Sequence, residues 1–341
     1  GNATVHFPIW HPEIEDILVL KNNKGTEDNR VRRMDYSIQI SKLFYERFMN
    51  EGDITLISPH MAPGLYDAFG TEEFDDLYLK YEADKTIPKK TVPAQDLFFD
   101  LLKERAETGR IYIMNLDHCN SHSSFKDKVS MSNLCQEITL PTTPIQHIDD
   151  EQGEIALCIL SAVNVGALND LGELENICDL SVRALEQIID YQDYPVKAAE
   201  VSTKKRRSLG IGYIGLAHYL AKNGVKYSDP EAWALVDRLT EAFQYHLLRS
   251  SCNIAMEKGK CEGFERTKYA DGLLPIDHYK KEIDEIVPHK QRMAWESLRK
   301  DIAKHGLRHS TLSAQMPSES SSVVSNETNG IEPPRALMAI K

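Results

Sequence analysis

The chain has 341 residues, of which 41% are hydrophobic and 27% are charged, and this composition is typical of a soluble globular protein. Its length allows one large domain or two ordinary ones. The net charge of −12 argues against a nucleic-acid-binding surface as its main purpose. No apolar run approaches the roughly 20 residues of a membrane helix, and the first residues do not form a signal peptide.

Six cysteines are scattered along the chain, at positions 119, 135, 158, 178, 252 and 261. They form no C-x-x-C pair and no cysteine–histidine spacing that suggests zinc. This usage favours a reducing cytoplasm over a disulfide-stapled secreted domain. The chain begins at Gly1 without a methionine and ends on an apolar run at residues 336–341, so we expect a fragment of a longer protein.

Hydrophobic periodicity predicts the secondary structure in chain order. Alternating or continuous apolar runs predict strands at residues 5–10, 54–57, 111–114, 154–160 and 310–314. Helical spacing predicts helices at residues 13–20, 36–49, 72–83, 94–108, 171–189, 231–258, 277–287 and 292–304. Strands that alternate with helices favour an α/β fold. No repeat or low-complexity linker marks a domain boundary.

The segment at residues 129–140 carries Asn133, Cys135 and Glu137 at every second position. In an extended segment alternate side chains share a face, so the amide, the thiol and the carboxylate would project together. A thiol beside a potential proton acceptor and a hydrogen-bonding amide provides the groups needed for chemistry. The alternative is a buried strand in which Cys135 is a small hydrophobe with satisfied polar neighbours. Spacing alone leaves both interpretations open.

Residues 317–322, Pro-Ser-Glu-Ser-Ser-Ser, predict the start of a helix with a serine at the cap position. Free N–H groups at such a terminus, with hydroxyls around them, make a good phosphate site. An ordinary serine-rich cap is the alternative.

Two further motifs have competing interpretations. The run Gly210-Ile-Gly-Tyr-Ile-Gly215 matches the G-x-G-x-x-G pattern, but it follows a basic stretch at residues 203–207 instead of a buried strand. We favour close backbone packing around a bend, with a nicotinamide-dependent dehydrogenase as the alternative, and we interpret residues 204–207 as a solvated charge run. His305 and His309 have metal-ligand spacing, but Gly306 interrupts the helix between them, which favours an exposed basic pair and no metal site.

Several strings of residues match one known family. They are Trp10-His-Pro-Glu-Ile-Glu15, Asn29-Arg-Val-Arg-Arg-Met-Asp35, Thr108-Gly-Arg-Ile-Tyr-Ile113, Ser132-Asn-Leu-Cys-Gln-Glu137, Gly153-Glu-Ile-Ala-Leu-Cys158, Tyr191-Gln-Asp-Tyr-Pro195 and Asn329-Gly-Ile-Glu-Pro-Pro-Arg335. On these strings the chain resembles the large, catalytic subunit of class I ribonucleotide reductase of the bacterial and phage aerobic type, essentially from end to end. The resemblance implies a ten-stranded α/β barrel of the kind shared with glycyl radical enzymes, with Cys135 at the tip of a central loop. Residues 1–341 would form a single, partial catalytic barrel domain.

The resemblance also assigns chemical roles. Cys135 would become the thiyl radical that abstracts the 3′-hydrogen of a ribonucleoside diphosphate. Glu137 would accept the 3′-hydroxyl proton, and Asn133 would hydrogen-bond to the ribose. Cys158 would be one of two thiols that supply reducing equivalents as the 2′-hydroxyl leaves as water. The substrate diphosphate would be bound by Pro317, Ser318, Glu319, Ser320 and Ser321.

The partners implied by the resemblance are a metal-containing small subunit that generates the radical, and thioredoxin or glutaredoxin as reductant. The complete large subunit would be a cytoplasmic homodimer, or lie in the host cytoplasm if phage-encoded, and would respond to ATP and dNTP effectors. We expect this chain to bind no cofactor, nucleic acid or membrane directly. The family's second reducing cysteine, regulatory domain, radical-transfer tyrosines and cysteine-bearing tail have no counterpart here, so we expect the chain alone to be inactive. The alternative is a non-catalytic piece that completes a barrel with partner chains.

Overall fold

The computed structural model describes residues 2–287 and 290–336. The chain divides into two compact units, one comprising Gly1–Ser123 and Lys128–Thr139 and the other Ser124–Asp127 and Leu140–Lys341. We call these the first unit and the second unit. The single barrel domain expected for residues 1–341 stays a prediction.

Two sequence expectations concern the chain as a whole. Among residues 2–287 and 290–336, none of the helices has the length and apolar character that a membrane crossing requires. The apolar run at residues 336–341 lies outside the described residues from Leu337 onward.

The first unit combines a parallel sheet, an antiparallel strand pair and surrounding helices. Its strands are β1 Thr4–Pro8, β2 Asp35–Ile40, β3 Asp53–Ile57, β4 Lys89–Pro93 and β5 Ile111–Asn115. Its helices are α1 Ile14–Leu18, α2 Lys42–Met49, α3 Leu65–Ala68, α4 Phe74–Ala83, α5 Ala94–Thr108 and α6 Leu116–His122, with a 3₁₀ turn at Glu27–Asn29. The strands β1, β2 and β5 form a parallel sheet in that order, while β3 pairs with β4.

The two faces of the parallel sheet differ in polarity. The register pairs His6 with Ser37 and Ser37 with Tyr112, so these three side chains form one row on one face. The intervening residues Tyr36 and Ile38 point to the opposite face and belong to the buried core of the unit. One face is therefore packed by helices, and the other presents polar groups.

The helix predicted at residues 36–49 is wrong in its first half. The structure has strand β2 up to Ile40, and helix α2 begins at Lys42 after an extended Ser41. Residues 35–40 alternate in polarity with a period of two, which is the strand pattern. The apolar residues of β2 and α2 together mimic helical spacing, and only pairing with β1 and β5 separates them.

The second unit is predominantly helical around a two-stranded parallel sheet. Its strands are β6 Ile159–Asn164 and β7 Leu209–Ile214. Its helices are α7 Glu173–Tyr191, α8 Lys197–Arg206, α9 Leu216–Lys222, α10 Pro230–Lys258, α11 Trp295–His305 and α12 Glu319–Val324. Short 3₁₀ turns lie at Val165–Ala167, Glu262–Arg266, Lys268–Asp271 and Lys281–Glu285. The predicted α/β class is confirmed, and within each unit the described strands form open sheets and not a closed barrel.

Two strand predictions in this unit need correction. The strand expected at residues 154–160 instead begins at Ile159, so Cys158 immediately precedes β6. The buried Glu154 forms ion pairs with Lys205 and Arg206, and these contacts hold the segment from Glu154 to Cys158 outside the sheet. The strand expected at residues 310–314 is reduced to one bridge, between Ser313 and Ile211 of β7.

The basic run that ends helix α8 is only partly solvated. Lys204 is exposed, but the side chains of Arg206 and Arg207 are 5% exposed and paired with carboxylates. Arg207 Nε donates to Glu186 Oε2 at 2.7 Å, and its other nitrogens bind Asp190. The solvated charge run predicted from the sequence is therefore wrong for the two arginines, because Arg207 meets the carboxylates of Glu186 and Asp190 on α7, and Arg206 meets the buried Glu154.

The same Glu186 carboxylate explains why the expected exposed histidine pair is wrong. His309 is fully buried, with its Nε2 3.1 Å from Glu186 Oε2 and its Nδ1 2.9 Å from Ser251 Oγ. Both ring nitrogens are thus committed to protein partners, which also removes His309 from any metal site. Arg308 Nε donates to Glu186 Oε1 at 2.8 Å, so Arg207 and the adjacent residues Arg308 and His309, from two distant parts of the chain, meet at one carboxylate.

Replacement of Glu186 by Gln should destabilise the chain by about 3–5 kcal/mol at pH 7, because Arg207 and Arg308 lose a buried charged partner and Arg207 keeps only the half-exposed Asp190. Burial by itself would raise the pKa of Glu186, but hydrogen bonds from His309, Arg207 and Arg308 outweigh burial and bring the pKa to about 2. The stabilisation is therefore complete above the unfolded carboxyl pKa of about 4.3 and is lost as the pH falls toward 2.

Urea unfolding of wild type and Glu186→Gln between pH 8 and pH 3 measures this difference. We expect the difference in unfolding free energy between wild type and Glu186→Gln to stay constant down to about pH 5 and to decrease below it. Glu175→Gln, an exposed glutamate on the same helix, is the control and should change stability by less than about 0.5 kcal/mol. If this difference in unfolding free energy stays unchanged down to pH 3, the stabilisation by Glu186 is not electrostatic.

Candidate functional site

The segment around Cys135 is a tight hairpin-like loop in the first unit. Ser132 and Thr139 form an antiparallel bridge at its base, and Ser132 Oγ donates to the Ile138 carbonyl at 2.7 Å. At the tip, the Gln136 N–H donates to the Asn133 carbonyl at 3.2 Å and closes a four-residue turn. Cys135 is the third residue of this turn and is exposed.

The expected extended segment, with Asn133, Cys135 and Glu137 on one face, is therefore wrong. Alternation requires continuous extended backbone, whereas Gln136 has a φ of +62° and reverses the chain direction. The position of Cys135 at the tip of a loop, which the family resemblance implies, agrees with the observed turn. The three residues are brought together by a turn and not by strand geometry.

Side chains on the polar face of the parallel sheet form hydrogen bonds to this loop. Thr4 Oγ1 donates to the Leu134 carbonyl at 2.7 Å, and Gln39 Nε2 donates to the Ser130 carbonyl at 2.6 Å. Both donors belong to the sheet, on β1 and β2. Two backbone carbonyls on the N-terminal side of the cysteine are therefore held by side chains that strand alternation places on one face.

The thiol of Cys135 lies among acidic and phenolic groups. Burial raises its pKa, and the nearby carboxylates of Glu137 and Asp35 raise it further. Burial also raises the pKa of Tyr112, with the charges of Cys135, Asp35 and Glu137 adding to it. At neutral pH the site therefore holds a protonated S–H group and not the thiolate that nucleophilic cysteines use.

The two other predicted residues of the loop have different hydrogen-bonding states. Asn133 Oδ1 accepts from the Ile138 N–H at 3.3 Å and so helps to close the loop, while its amide nitrogen is not used in this bond. Glu137 Oε2 is buried and has no hydrogen-bond partner among the described residues. A buried carboxylate oxygen without a donor is available to accept a proton from a bound molecule.

Cys158 belongs to the second unit, where a glycine in β7 makes room for its thiol. A Cβ at Gly210 would stand 2.9 Å from Cys158 Sγ and 3.2 Å from Ala314 Cβ. At Gly212 a Cβ would stand 2.4 Å from the Ala314 carbonyl oxygen. These glycines lie inside strand β7, so the predicted close backbone packing is confirmed, although the chain bends only after the strand, at Gly215.

The serine-rich segment starts a short helix, as its sequence predicts. Helix α12 begins at Glu319, and Ser318 occupies the N-cap position. Ser318 is buried, and its hydroxyl donates to Asn329 Oδ1 at 3.0 Å instead of capping the helix. The N–H groups of the first turn lack intrahelical partners, and the Ser318 hydroxyl does not accept a hydrogen bond from them. Ser320 and Ser321 are exposed beside these groups.

Comparison with known proteins identifies the family. The family model described as "ribonucleotide reductase, barrel domain" matches residues 1–341. This chain belongs to that family. The ribonucleoside-diphosphate reductase subunit alpha of Haemophilus influenzae is 58% identical over 346 residues, covering 100% of this chain and 46% of the relative.

Further relatives extend the similarity to phage. The ribonucleoside-diphosphate reductase 1 subunit alpha of Escherichia coli is 55% identical, and the corresponding subunit alpha of Enterobacteria phage T4 is 44% identical. Each alignment covers 100% of this chain and 46% of the relative. The chain thus spans about half the length of the relatives that it matches.

The reductase barrel domain divides its predicted site residues between the two units. Asn133, Cys135 and Glu137 share one loop of the first unit, whereas Cys158 and residues 317–321 lie in the second. Sequence reasoning did not single out Tyr112 or Asp35, which lie within electrostatic reach of Cys135. Asp35 stands just before the predicted helix and Tyr112 lies in the strand predicted at residues 111–114, so local periodicity gives no signal that joins them.

Alkylation of the reductase domain should show a protonated Cys135. The pH midpoint for reaction of Cys135 with iodoacetamide, resolved by peptide mass spectrometry, should lie above the usual cysteine pKa of about 8.5, because burial and nearby carboxylates raise the pKa. Glu137→Gln removes one of these charges and should lower the midpoint. Glu72→Gln, at an exposed position, should leave it unchanged. A midpoint below 8 in wild type would contradict this description of the thiol.

Replacement of Gly210 by Ala should destabilise the domain by about 1–3 kcal/mol, because the added methyl group would stand 2.7 Å from Leu160 Cδ2 and 2.9 Å from Cys158 Sγ. Urea unfolding measures the loss, and peptide-resolved alkylation reports the accompanying change at Cys158. Gly52→Ala is the matched control, since its nearest neighbour would be at an ordinary 3.5 Å. Equal stability of the two variants would show that Cys158 does not depend on the space at Gly210.

Proposed function

We propose that this chain is the catalytic segment of a ribonucleoside-diphosphate reductase, which forms 2′-deoxyribonucleoside diphosphates for DNA precursor synthesis. The observation that carries the proposal is the loop of the first unit, where a protonated Cys135 thiol lies within electrostatic reach of Glu137. Membership of the reductase barrel-domain family supports the assignment. The alternative role, as a non-catalytic piece of a split reductase, leaves these groups without a purpose.

The protonation state of Cys135 suits hydrogen-atom chemistry. A thiyl radical forms when an S–H group loses a hydrogen atom, so a raised thiol pKa keeps the required species present at neutral pH. The thiyl radical of Cys135 would abstract the hydrogen from C3′ of the substrate. Glu137 Oε2, which has no hydrogen-bond partner among the described residues, would take the proton of the 3′-hydroxyl. Asn133 would donate its free amide N–H to the ribose.

Reduction of the 2′ carbon requires two electrons. The 2′-hydroxyl leaves as water after protonation, and Cys158 together with a second thiol outside residues 1–341 would be oxidised to a disulfide. The overall balance is one nucleoside diphosphate and one dithiol converted to one deoxynucleotide, one disulfide and one water. Thioredoxin or glutaredoxin would then restore the dithiol by thiol–disulfide exchange.

The substrate diphosphate would bind at the start of helix α12. The first-turn N–H groups favour an anion, and Ser320 and Ser321 are exposed beside them, with the Ser321 hydroxyl donating to the Ser318 carbonyl at 3.1 Å. Pro317, Ser318 and Glu319 complete the proposed set. The bond from Ser318 to Asn329 leaves the terminus uncapped, which supports a ligand in place of an internal cap.

The partners would be those of the complete enzyme. A metal-containing small subunit would supply the radical, the complete large subunit would be a homodimer in the cytoplasm, and ATP and dNTP would act as effectors. We expect no nucleic acid or membrane to bind.

Product formation in a complete enzyme tests the proposal. This chain would replace the matching segment of the Escherichia coli subunit alpha, and the fusion would be mixed with the small subunit, a dithiol and CDP. We expect dCDP from the wild-type fusion and none from Cys135→Ser, because a serine O–H does not yield a radical under these conditions.

Cys119→Ser is the matched control, since Cys119 is a half-buried cysteine of the same unit outside the proposed site. It should retain most of the product formation. Equal activity of Cys135→Ser and wild type, or no product from a fusion that assembles and binds CDP, would contradict the catalytic assignment and favour the scaffold role.

A further inference from the structure

The turn that carries Cys135 contains a residue in an unfavourable backbone conformation. Gln136 has a φ of +62°, in the left-handed region that non-glycine residues rarely adopt. Such a conformation costs free energy and persists only where surrounding contacts determine it. The contacts made by Gln136 are therefore the ones to consider.

Both polar atoms of the Gln136 side-chain amide form hydrogen bonds to the parallel sheet. Its Oε1 accepts a hydrogen bond from Ser37 Oγ on β2 at 2.7 Å. Its Nε2 donates to the Ile113 carbonyl on β5 at 2.7 Å. The two strands are neighbours, with Ile113 paired to Ile38, so one amide bridges adjacent strands from above. A glutamine amide has the donor and the acceptor that this arrangement requires.

The position of Gln136 between two functional residues gives the bridge its significance. Cys135 precedes it and Glu137 follows it, so fixing Gln136 fixes the backbone on both sides. The other ties to the loop, from Thr4 and Gln39, reach main-chain carbonyls at Leu134 and Ser130. The bridge from Gln136 is made by a side chain of the turn itself and depends on residue identity.

We propose that Gln136 is a positioning residue, whose amide bridge to Ser37 and Ile113 holds Cys135 and Glu137 in place over the sheet. Its importance for catalysis rests on the proposed function of Cys135. Loss of the bridge frees the turn and separates the thiol from the carboxylates of Glu137 and Asp35. The thiol then becomes a stronger acid, and its hydrogen is no longer held in a fixed direction.

Gln136→Met tests the bridge, because methionine keeps the length of the side chain and removes both hydrogen bonds. In the fusion enzyme kcat should fall about 10- to 100-fold, as expected for a misplaced reacting group. The KM for CDP should change little, since the diphosphate is proposed to bind residues 317–321. In the chain alone, the pH midpoint for alkylation of Cys135 should fall, and hydrogen exchange of residues 133–137 should accelerate.

Two further variants separate positioning from general stability. Gln95→Met removes a glutamine bond to the Phe48 carbonyl of 3.2 Å in the same unit, and should leave kcat and the alkylation midpoint unchanged. Gln136→Gly removes the bridge and accepts a positive φ without strain, so it should fold and still lose kcat. Ser37→Ala removes one of the two bonds and should give a smaller change in the same direction.

The outcomes distinguish this proposal from the function on which it rests. Wild-type kcat and alkylation midpoint in both Gln136 variants would overturn the positioning role, as would a loss of thermal stability alone. A wild-type fusion that makes no dCDP would sink the proposed function. The alkylation midpoint and hydrogen exchange would still decide whether the bridge holds the loop.

Discussion

The parallel register of β1, β2 and β5 is the constraint on which the loop that carries Cys135 depends. Because neighbouring strands are in register, His6, Ser37 and Tyr112 form one row, and Gln39 lies two residues further along β2 on the same face. The opposite face is buried against helices, so the register cannot slip by one residue without exposing that core. The loop that carries Cys135 is held by this polar face through hydrogen bonds, and its geometry follows from the sheet.

In the second unit, close backbone packing and buried ion pairs position the thiol of Cys158. Strand β7 can pack against Cys158 and the segment around Ala314 because Gly210 and Gly212 have no side chains. The Glu154 carboxylate fixes the segment that precedes Cys158 through ion pairs with Lys205 and Arg206. Each of these contacts joins parts of the chain that are far apart in sequence. The thiol is thus positioned by tertiary contacts and not by the strand in which the sequence placed it.

The electrostatics of the Cys135 loop follow from the same arrangement. A cysteine that acts as a nucleophile needs cationic neighbours that lower its pKa. Here burial raises the pKa of Cys135, the carboxylates of Glu137 and Asp35 raise it further, and Tyr112 is the neutral neighbour on β5. The loop therefore favours an S–H group over a thiolate, which suits abstraction of a hydrogen atom. The Oε2 atom of Glu137 is buried and has no hydrogen-bond partner among the residues that the structure describes.

The sequence by itself determined the α/β class, the helices with strong periodicity such as Ala94–Thr108, the helix start at Ser318 and, through local strings, the family. These depend on neighbouring residues, so they can be recognised in one dimension. The tertiary structure decided where β2 ends, how Cys135 is presented and why His309 is buried. A turn at Gln136, a strand at residues 35–40 and an ion-pair cluster at Glu186 require partners from distant segments. Local periodicity carries no information about those partners, because long-range pairing overrides local preference.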